Sequence, residues 1–262
     1  MRLTTIVCTL VLIAVTIGYS ATRLRPTWSY SSHWTNFSEA GPLQLNGNAS
    51  FYREGVRLTD NAYSQVGSLF RKAPIDARDW ETSFSFQLQG PFEHADGITL
   101  CIQNDRRGAL ALGSAGGYLG YGRSDAWETP GIPKSFALEF DNYYNPEFKD
   151  LRVDHIGIDT DASVVSNVAV ASPVSLSGRL VNVKVTYYDK VLEVYIAADG
   201  QNPEKPFLSY PIDIPAIIGS EIGYIGFTGA TATYVQTSDV TRWTFANPKR
   251  VDAPGDIVPI LD

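Results

Sequence analysis

The sequence predicts an all-β protein, an antiparallel β-sandwich or jelly roll, and three observations lead to that prediction. After residue 30, short β-rich runs alternate with Gly, Pro, Asn and Asp, whereas helical periodicity is hard to find. Aromatic residues make up 12% and charged residues 19% of the chain, as in many β-rich globular proteins. About ten strands without crossover helices favour antiparallel sheets packed face to face.

The predicted strands follow one another at short intervals. Residues 80–88 alternate large apolar with small polar side chains, which is the pattern of a strand with one buried face. Residues 180–187 and 191–196 do the same and are joined through residues 188–190, which predicts a hairpin. The other predicted strands are residues 65–70, 97–103, 136–141, 155–159, 163–169, 221–228 and 237–245.

The chain divides into three parts. Arg2, an apolar run over residues 6–17 and the small residues Gly18 and Ser20 predict a secretory signal peptide over residues 1–20 and hence a secreted, extracellular protein. An uncleaved membrane anchor is the alternative for this segment. Residues 21–247 form one predicted domain, and residues 248–262, with three prolines, form an extended C-terminal tail.

Charge and cysteine content restrict the class of protein further. The net charge is −7 and no basic run exceeds two residues, which argues against nucleic-acid binding. Cys8 lies in the signal segment, so Cys101 has no internal disulfide partner, and its apolar surroundings predict a buried packing residue. Two glycosylation sequons, at Asn36 and Asn48, agree with secretion and predict surface positions.

One segment, residues 138–159, concentrates groups that bind metal ions. Glu139 and Asp141 alternate with apolar residues, so both carboxylates project to one side of a strand end. Asn145 and Asp150 lie in the loop that follows, and His155 opens the next apolar strand. Three carboxylates, an amide and an imidazole therefore converge on two adjacent strand ends.

So many acids at one place would repel one another, and a bound cation relieves the repulsion. Nitrogen and oxygen ligands together suit Mn²⁺ or another transition ion, whereas an all-oxygen set suits Ca²⁺. The first set is Glu139, Asp141, Asp150 and His155. The second is Asp141, Asp150, the Asn145 side-chain oxygen and the Tyr143 backbone carbonyl. Asp141 and Asp150 belong to both sets and would bridge the two ions.

The spacing Glu-x-Asp-x-Tyr-x-Asn, followed by Asp and by His-Ile-Gly-Ile-Asp, resembles the metal-binding segment of legume (L-type) lectins over residues 139–159. The resemblance extends over most of the predicted domain and implies the concanavalin-like β-sandwich and a lectin domain over residues 21–247. Further segments occur in the order found in the family, namely residues 43–49, 82–86, 95–98, 116–120, 226–228 and 242–245.

By this resemblance, four loops form a carbohydrate site. Asp96 would accept hydrogen bonds from sugar hydroxyls, and the Ala95–Asp96 peptide bond should be cis. The Gly117 N–H would donate to a hydroxyl, since glycine lets the chain approach the ligand closely. Asn145 would turn its oxygen to Ca²⁺ and its NH₂ to the sugar. The Tyr143 ring would stack on the apolar face of the pyranose.

The fourth loop, near residues 230–233, would select the sugar through Ala232 and Thr233, and its length resembles that of lectin domains in plant receptor kinases. One position departs from the family pattern. The family usually has a serine ten residues after the histidine, holding a metal-bound water, and this chain has Val165 there and Ser166 one residue later. A one-residue insertion near Asp161 would restore the serine.

Each site residue also has a purely structural interpretation. Glu139 and Asp141 could be solvated strand-end acids, and a lone His155 could be structural. Asp96 with Gly97 could form an ordinary turn, as could residues 116–117, and Tyr143 could only pack. Five positions at family spacing favour metal binding over these structural roles.

The predicted function is therefore sugar binding without catalysis, with glycans or glycoproteins as partners, self-association left open, and no membrane span once the signal is cleaved. A β-sandwich glycan hydrolase is one alternative. Its Glu-x-Asp start is present at Glu139, but the second carboxylate of that pattern is replaced by residues 142–144, Asn-Tyr-Tyr. An adhesion or storage protein with a vestigial sugar site is another, and a secretory cargo receptor with a related fold is a third.

Overall fold

The structure, a computed structural model, describes residues 30–34, 37 and 41–247, and for residues 30–34 it describes the backbone only. The predicted signal segment, the C-terminal tail and the Asn36 side chain lie outside the described residues. Within the described ranges, no helix has the length and apolar character needed to cross a bilayer.

Sixteen strands account for nearly half of the described residues. The helical segments are short: α1 (Ile214–Ile218) and three 3₁₀ turns at Gly108–Leu110, Gly116–Tyr118 and Pro146–Phe148. The strands are β1 (Tyr30–Trp34), β2 (Leu43–Gly47), β3 (Ser50–Tyr52), β4 (Gly55–Thr59), β5 (Val66–Arg71), β6 (Ile75–Asp76), β7 (Trp80–Gln89), β8 (Gly97–Gln103), β9 (Ser135–Asp141), β10 (His155–Thr160), β11 (Val168–Ala171), β12 (Leu180–Tyr188), β13 (Val191–Ala198), β14 (Leu208–Pro211), β15 (Ile222–Ala230) and β16 (Thr237–Asn247).

The strands form two antiparallel sheets, which confirms the predicted fold class. The first sheet has the order β14-β13-β12-β7-β16-β4-β3, with β1 alongside β16. The second has the order β11-β10-β9-β8-β15-β5-β2, with β6 alongside β15. The predicted hairpin is β12–β13, and its two turn residues, Asp189 and Lys190, both have positive φ, as a tight twisted turn requires.

One predicted strand, over residues 163–169, is wrong. Asp161 and Ala162 have φ of 54° and 62°, so the chain turns sharply after β10 and pairing resumes only at Val168. The short strands β3, β4, β6 and β14 were not predicted.

Aromatic side chains join the two sheets in the main core. Phe227 of β15 lies between Phe84 of β7 and Trp243 of β16, with ring centroids 4.9 Å and 5.0 Å away. Phe140 of β9 packs against Phe84 and Phe86 at 5.7 Å and 5.2 Å. The alternation over residues 80–88 therefore places one face of β7 against the second sheet, as predicted.

The second sheet is covered on its outer face as well. A second cluster, which includes Cys101, Tyr121 and Ile132, packs there under the loops between β8 and β9. Consequently every residue of β8 and β9 is buried. Cys101 is a free, fully buried cysteine, in agreement with the predicted packing role.

The register of the second sheet brings several loops to one end. At the end of β9, Asp141 pairs with His155 of β10 on one side and with Gly97 of β8 on the other. Gly97 in turn pairs with Ala230, the last residue of β15. The loops before β8, between β9 and β10, and after β15 therefore meet beside one another.

Candidate metal centre and adjoining pocket

A buried acidic cluster lies where β9 ends and β10 begins. Glu139 and Asp141, two residues apart, point to the same side, and each is 2% exposed. One ligand atom from each of Asp141, Asp150 and His155 lies within 4.8 Å of the others. The Nε2 atom of His155 lies 3.5 Å from Glu139 Oε1 and 4.0 Å from Asp150 Oδ1. The four residues predicted to hold a transition ion are therefore together.

The loop after β9 orients two of these carboxylates through its own backbone. The Tyr143 N–H donates to Asp141 Oδ1 at 2.6 Å. The Asn145 N–H donates to Asp150 Oδ2 at 2.7 Å. One oxygen of each carboxylate is thus held by the loop, which fixes the direction of the other.

Burial and mutual repulsion make ionisation of these acids costly in the metal-free chain. Burial, reinforced by the charge of Glu139, raises the pKa of Asp141 well above its ordinary value. Burial raises the pKa of Asp150 to about 6. Burial, with a smaller effect of Asp150, raises the pKa of Asp96 to about 7. A divalent cation would remove this cost, since it stabilises the charged forms.

His155 is presented as a ligand by its backbone contact. Its Nδ1 lies 3.1 Å from the Val153 carbonyl, so Nδ1 carries the proton in the neutral ring and the Nε2 lone pair faces the carboxylates. Burial acts to lower the pKa of His155, but the Glu139 carboxylate outweighs it and the pKa is raised. Without a cation, the His155 ring therefore binds a proton more readily than an ordinary histidine does.

Three buried atoms at this cluster have no hydrogen-bond partner among the described residues. They are Asn145 Oδ1 and His155 Nε2, both of which are predicted ligand atoms, and Asp159 Oδ2. A buried polar atom without a partner costs about 1–3 kcal/mol. The donor set of carboxylates, an amide oxygen and an imidazole fits Ca²⁺ and a borderline transition ion.

Ser166, rather than Val165, places its side chain against the acidic cluster. Its Oγ lies 2.7 Å from Glu139 Oε1 and 2.7 Å from Asp159 Oδ1. Asp159 is fully buried, and burial together with Glu139 raises its pKa well above the ordinary value. A Cβ on Gly157 would overlap the Glu139 carboxylate, so glycine provides the space for it. Asp161 and Ala162, both with positive φ, form a sharp turn between β10 and Ser166.

A cavity of about 290 Å³ adjoins the cluster. This volume is at the lower end of small-molecule sites, about 300–1,000 Å³. All six residues predicted to contact a sugar line it: Asp96, Gly117, Tyr143, Asn145, Ala232 and Thr233. Sequence positions from four separate loops are thus brought to one pocket.

Asp96 and Asn145 form the polar floor of the pocket. Asp96 follows a cis peptide bond, as predicted, is 3% exposed, and its Oδ2 has no hydrogen-bond partner among the described residues. A Cβ on Gly117 would lie 2.7 Å from Asn145 Oδ1. Glycine at position 117 therefore leaves the Asn145 amide in place.

Aromatic side chains that the sequence interpretation missed form much of the pocket wall. Tyr234 pairs with Tyr143, with ring centroids 5.2 Å apart. Tyr118, Trp127 and Phe148 line the same cavity. Tyr118 and Tyr234 directly follow the predicted site residues Gly117 and Thr233, so they could have been predicted from the sequence. The sequence around Trp127 does not indicate that its turn reaches the pocket.

Two antiparallel sheets with an acidic–histidine cluster beside a small polar pocket make up a β-sandwich with a candidate ligand site at one end. The family model described as the legume lectin domain matches residues 27–257. The chain belongs to this family.

Relatives with known names fall into two groups. The galactose-binding lectin of Arachis hypogaea is 25% identical over 256 residues, which is 92% of this chain and 90% of that protein. The L-type lectin-domain containing receptor kinase VIII.2 of Arabidopsis thaliana is 30% identical over 224 residues, which is 78% of this chain and 30% of that protein. The chain thus spans about a third of the length of the receptor kinases that it matches.

Solved structures agree with the sequence relatives. Winged bean acidic lectin complexed with methyl-α-D-galactose superposes with a TM-score of 0.72 at 26% identity, covering 84% of this chain and 98% of that one. Peanut lectin with a nonapeptide superposes with a TM-score of 0.70 at 27% identity, covering 83% and 96%. Fold and family together support a carbohydrate-binding lectin.

Proposed function

We propose that the chain binds a saccharide in the pocket over Asp96, Gly117 and Asn145, and that Ca²⁺ and a transition ion such as Mn²⁺ give this pocket its shape. Asp96 accepts hydrogen bonds from sugar hydroxyls, and the Gly117 N–H donates to one. The Tyr143 ring covers the apolar C–H face of the pyranose. Ala232 and Thr233 contact the side of the sugar that differs between monosaccharides.

The ions act on the pocket through the loop after β9. The residues that would hold the transition ion are Glu139, Asp141, Asp150 and His155. Asp141, Asp150, Asn145 and the Tyr143 carbonyl would hold Ca²⁺. With its oxygen committed to Ca²⁺, Asn145 directs its NH₂ donors to the sugar. The bound charges also keep Asp96 and its neighbours ionised at neutral pH.

The observation that carries the proposal is a set of three buried polar atoms without partners among the described residues. His155 Nε2 and Asn145 Oδ1 face the cluster of acids, and Asp96 Oδ2 belongs to the pocket beside it. Buried polar groups are nearly always paired, so three such atoms at one strand end indicate that ligands complete the site. Metal ions would bind His155 Nε2 and Asn145 Oδ1, and a sugar hydroxyl would donate to Asp96 Oδ2.

A glycan array, probed with protein supplied with Ca²⁺ and Mn²⁺ and again in chelator, tests this function. We expect binding only with the ions, and loss of binding in Asp96→Ala and Asn145→Ala. Asn202→Ala, at an exposed position that does not line the pocket, is the matched control and keeps binding. Glycan binding that persists in both site variants would contradict the assignment. Galactose is the first sugar to test, because it occurs in the names of a relative and of a ligand in a similar structure.

The cellular setting is part of the proposal. We expect secretion, and Asn48 is exposed at the turn after β2, where a sequon can carry a glycan. Affinity for one sugar should be modest, so avidity from self-association or clustered glycans would matter. Incubation with β-glucans should release no reducing ends, since we assign no catalytic group.

A further inference from the structure

A second groove lies on the outer face of the first sheet. Its lining comes from β3, β4, β7, β12 and β16 and from the turn between β3 and β4, and it shares no residue with the pocket beside the candidate metal centre. Its volume is about 680 Å³, within the range of about 300–1,000 Å³ that is usual for small-molecule sites. The groove is therefore of a size that suits a small ligand, and none of its residues has a role in the proposed function.

A row of paired residues crosses the sheet and forms the floor of this groove. Leu180 of β12 pairs with Gln87 of β7, and Gln87 pairs with Asp239 of β16. Asp239 in turn pairs with Arg57 of β4. Paired residues share a face of the sheet and neighbouring strands are about 4.8 Å apart, so the floor extends about 14 Å across the strands. An elongated ligand can contact the floor along this length.

Arg57 and Asp239 satisfy each other and form a fixed part of the floor. The Arg57 Nε donates to Asp239 Oδ1 at 2.7 Å, and its Nη2 donates to Asp239 Oδ2 at 2.9 Å. The same guanidinium lies 3.7 Å from the ring centroid of Tyr52, which also lines the groove. This ion pair therefore positions the Tyr52 ring and is not free to bind a charged ligand.

A bulge in β16 turns an arginine to the outer face. The register of β16 against β7 shifts between Val240 and Arg242. Thr241 and Arg242 are adjacent and both line the groove, whereas Val240 and Trp243 on either side are buried. Regular strand alternation would send one of the two central side chains inward, and an additional residue at a bulge removes this restriction. The bulge therefore places Arg242 beside the floor.

The turn between β3 and β4 brings a second arginine to the bulge. Gly55, the first residue of β4, lies so close to β16 that a Cβ on it would be 2.5 Å from the Val240 carbonyl oxygen. The turn residues Arg53 and Glu54 precede it and line the groove together with Arg242. Close packing of this hairpin on β16 therefore places two arginines around one groove.

Arg53 and Arg242 give the groove a positive charge. Both are exposed, and neither forms an ion pair within the part of the chain that the structure describes. Because Asp239 neutralises Arg57, the remaining charged residues of the lining are these two arginines and Glu54, which leaves a net charge of +1. The whole chain, by contrast, has a net charge of −7. A guanidinium presents a planar fork of donors that matches a carboxylate, so the groove favours a ligand with carboxylate groups.

Two glutamines add uncharged polar groups to the groove. Gln87 and Gln89 flank Leu88, a residue of the core, so both amides lie on the outer face of β7. Neither amide has a hydrogen-bond partner among the described residues, and an amide offers the donors and the acceptor that sugar hydroxyls need. A peptide strand binds to free backbone groups at a sheet edge, whereas β7 is paired on both sides. Recognition by side chains alone favours a saccharide over a peptide.

We propose that the groove lined by Arg53, Arg242 and the two glutamines, which we call the arginine groove, is a second binding site whose ligand is an oligosaccharide containing uronic acid. The two arginines bind carboxylates of the ligand. Gln87 and Gln89 bind its hydroxyls. Glu54 disfavours chains with closely spaced sulfates or phosphates, because like charges at short distance repel one another. The site uses no residue of the candidate metal centre or of the pocket beside it, so it does not depend on the proposed function.

Calorimetric titration with the trimer of galacturonic acid tests the arginine groove. The protein is loaded with Ca²⁺ and Mn²⁺ and freed of excess ions, because carboxylates of the probe also bind Ca²⁺. Asp96→Ala is present throughout, so that the first pocket does not contribute. We expect the trimer to bind about tenfold more tightly than the same trimer with methyl-esterified carboxylates, through its charged hydrogen bonds. Added salt should weaken this binding.

Three further substitutions in the same background test whether the arginine groove itself holds the trimer. Arg242→Gln should weaken binding about tenfold, through loss of a charged hydrogen-bonding group. Arg242→Lys keeps the charge without the planar fork and should recover part of the affinity, which a distorted sheet could not do. Arg106→Gln, at an exposed position outside the groove, is the matched control and should change the affinity less than about twofold, since salt screens distant charges.

The results that would overturn the proposal are separable. If the esterified trimer binds as tightly as the acid, or if Arg106→Gln and Arg242→Gln weaken binding equally, the groove does not recognise carboxylates. If an acidic peptide of equal charge binds more tightly than the trimer, the ligand is a peptide. If the trimer does not bind and Arg242→Gln dissociates a dimer in sedimentation, a second copy of the chain covers the groove.

None of these failures affects the proposed function, which the glycan array tests on the unsubstituted chain with neutral sugars. Conversely, if the trimer binds as expected and the array shows no glycan binding, the proposed function fails and the arginine groove stands.

Discussion

At the scale of single residues, Gly117 lies beside Asn145, a residue of both the candidate metal centre and the pocket. Gly117 has no Cβ, and a Cβ at this position would lie only 2.7 Å from Asn145 Oδ1. Gly117→Ala should therefore displace the Asn145 amide and lower glycan affinity about tenfold, comparable to the loss of one hydrogen bond. Binding measured by calorimetry checks this.

The matched control for that substitution is Gly41→Ala. An added Cβ at position 41 meets no atom within 4 Å, so glycan affinity should not change. Equal affinities for both variants and the unsubstituted chain would show that the approach of Gly117 to Asn145 has no part in binding.

The residues of the candidate metal centre show which positions can be predicted from sequence spacing and which cannot. Glu139, Asp141, Asp150 and His155 could be assigned because they lie within one short segment, where strand alternation fixes direction. Counting ten residues from His155 gives Val165, whereas an insertion near Asp161 would give Ser166, and the structure has Ser166 against Glu139. Asp161 and Ala162 have positive φ, a backbone geometry that side-chain identities alone do not predict.

At the scale of elements, the meeting of β9 and β10 sets the pH dependence of the metal-free protein. The pKa of Asp150 is raised to about 6 and that of Asp96 to about 7, and the pKa of His155 is raised as well. The folded chain thus holds protons that the unfolded chain releases. This contribution to stability is complete at about pH 4 and is lost as the pH rises through 6 and 7.

We therefore expect the urea midpoint of the chelated protein to fall from pH 5 to pH 8, and Ca²⁺ to restore it at pH 8. Asp150→Asn, which cannot ionise, should reduce this dependence, and Asp96 and His155 should retain the rest. A midpoint of the chelated protein that is constant or rises over this interval would contradict the coupling described here.

Strands with a clear alternation could be predicted, and short edge strands could not. Residues 80–88 and the hairpin of β12 and β13 have long alternating patterns, since one face of each meets the core. β3 and β14 have three and four residues and lie at opposite edges of the first sheet, where little burial constrains the sequence. Trp127 was not predicted as a pocket residue for a related reason, because it reaches the pocket only through tertiary contacts.

At the scale of the whole molecule, the pocket depends on two sheets held together by aromatic contacts. Phe227 is fully buried between Phe84 and Trp243 of the opposite sheet. Phe227→Ala should lower the free energy of unfolding by about 3–5 kcal/mol, through lost burial and the cavity left behind. Chemical denaturation of the ion-loaded protein measures this.

Phe92→Ala is the comparison for the core, because this side chain is 99% exposed. Its effect on the free energy of unfolding should stay within about 0.5 kcal/mol. If both substitutions had the same small effect, the contact between the sheets would not determine stability.

The register of the second sheet brings loops that are distant in sequence to one end of the sandwich. Asp96, Gly117, Asn145 and Thr233 are far apart in sequence. The pairing of Gly97 with Asp141 and Ala230 brings three of their loops together, and the Gly116 N–H, which donates to the Thr231 carbonyl at 3.1 Å, adds the fourth. The family match over residues 27–257 is consistent with this, since it spans all of these loops.

The most direct test of the central claim measures the number of bound ions and the affinity for a saccharide in the same titration. Chelated protein is titrated with Ca²⁺ and Mn²⁺ in a calorimeter, and saccharide binding is measured at each stage. We expect one Ca²⁺ and one transition ion per chain, none tightly bound in Asp141→Ala, and saccharide binding only after both have bound. A metal-free protein that binds the saccharide as tightly as the loaded protein would contradict the claim that cations between these strand ends shape the pocket.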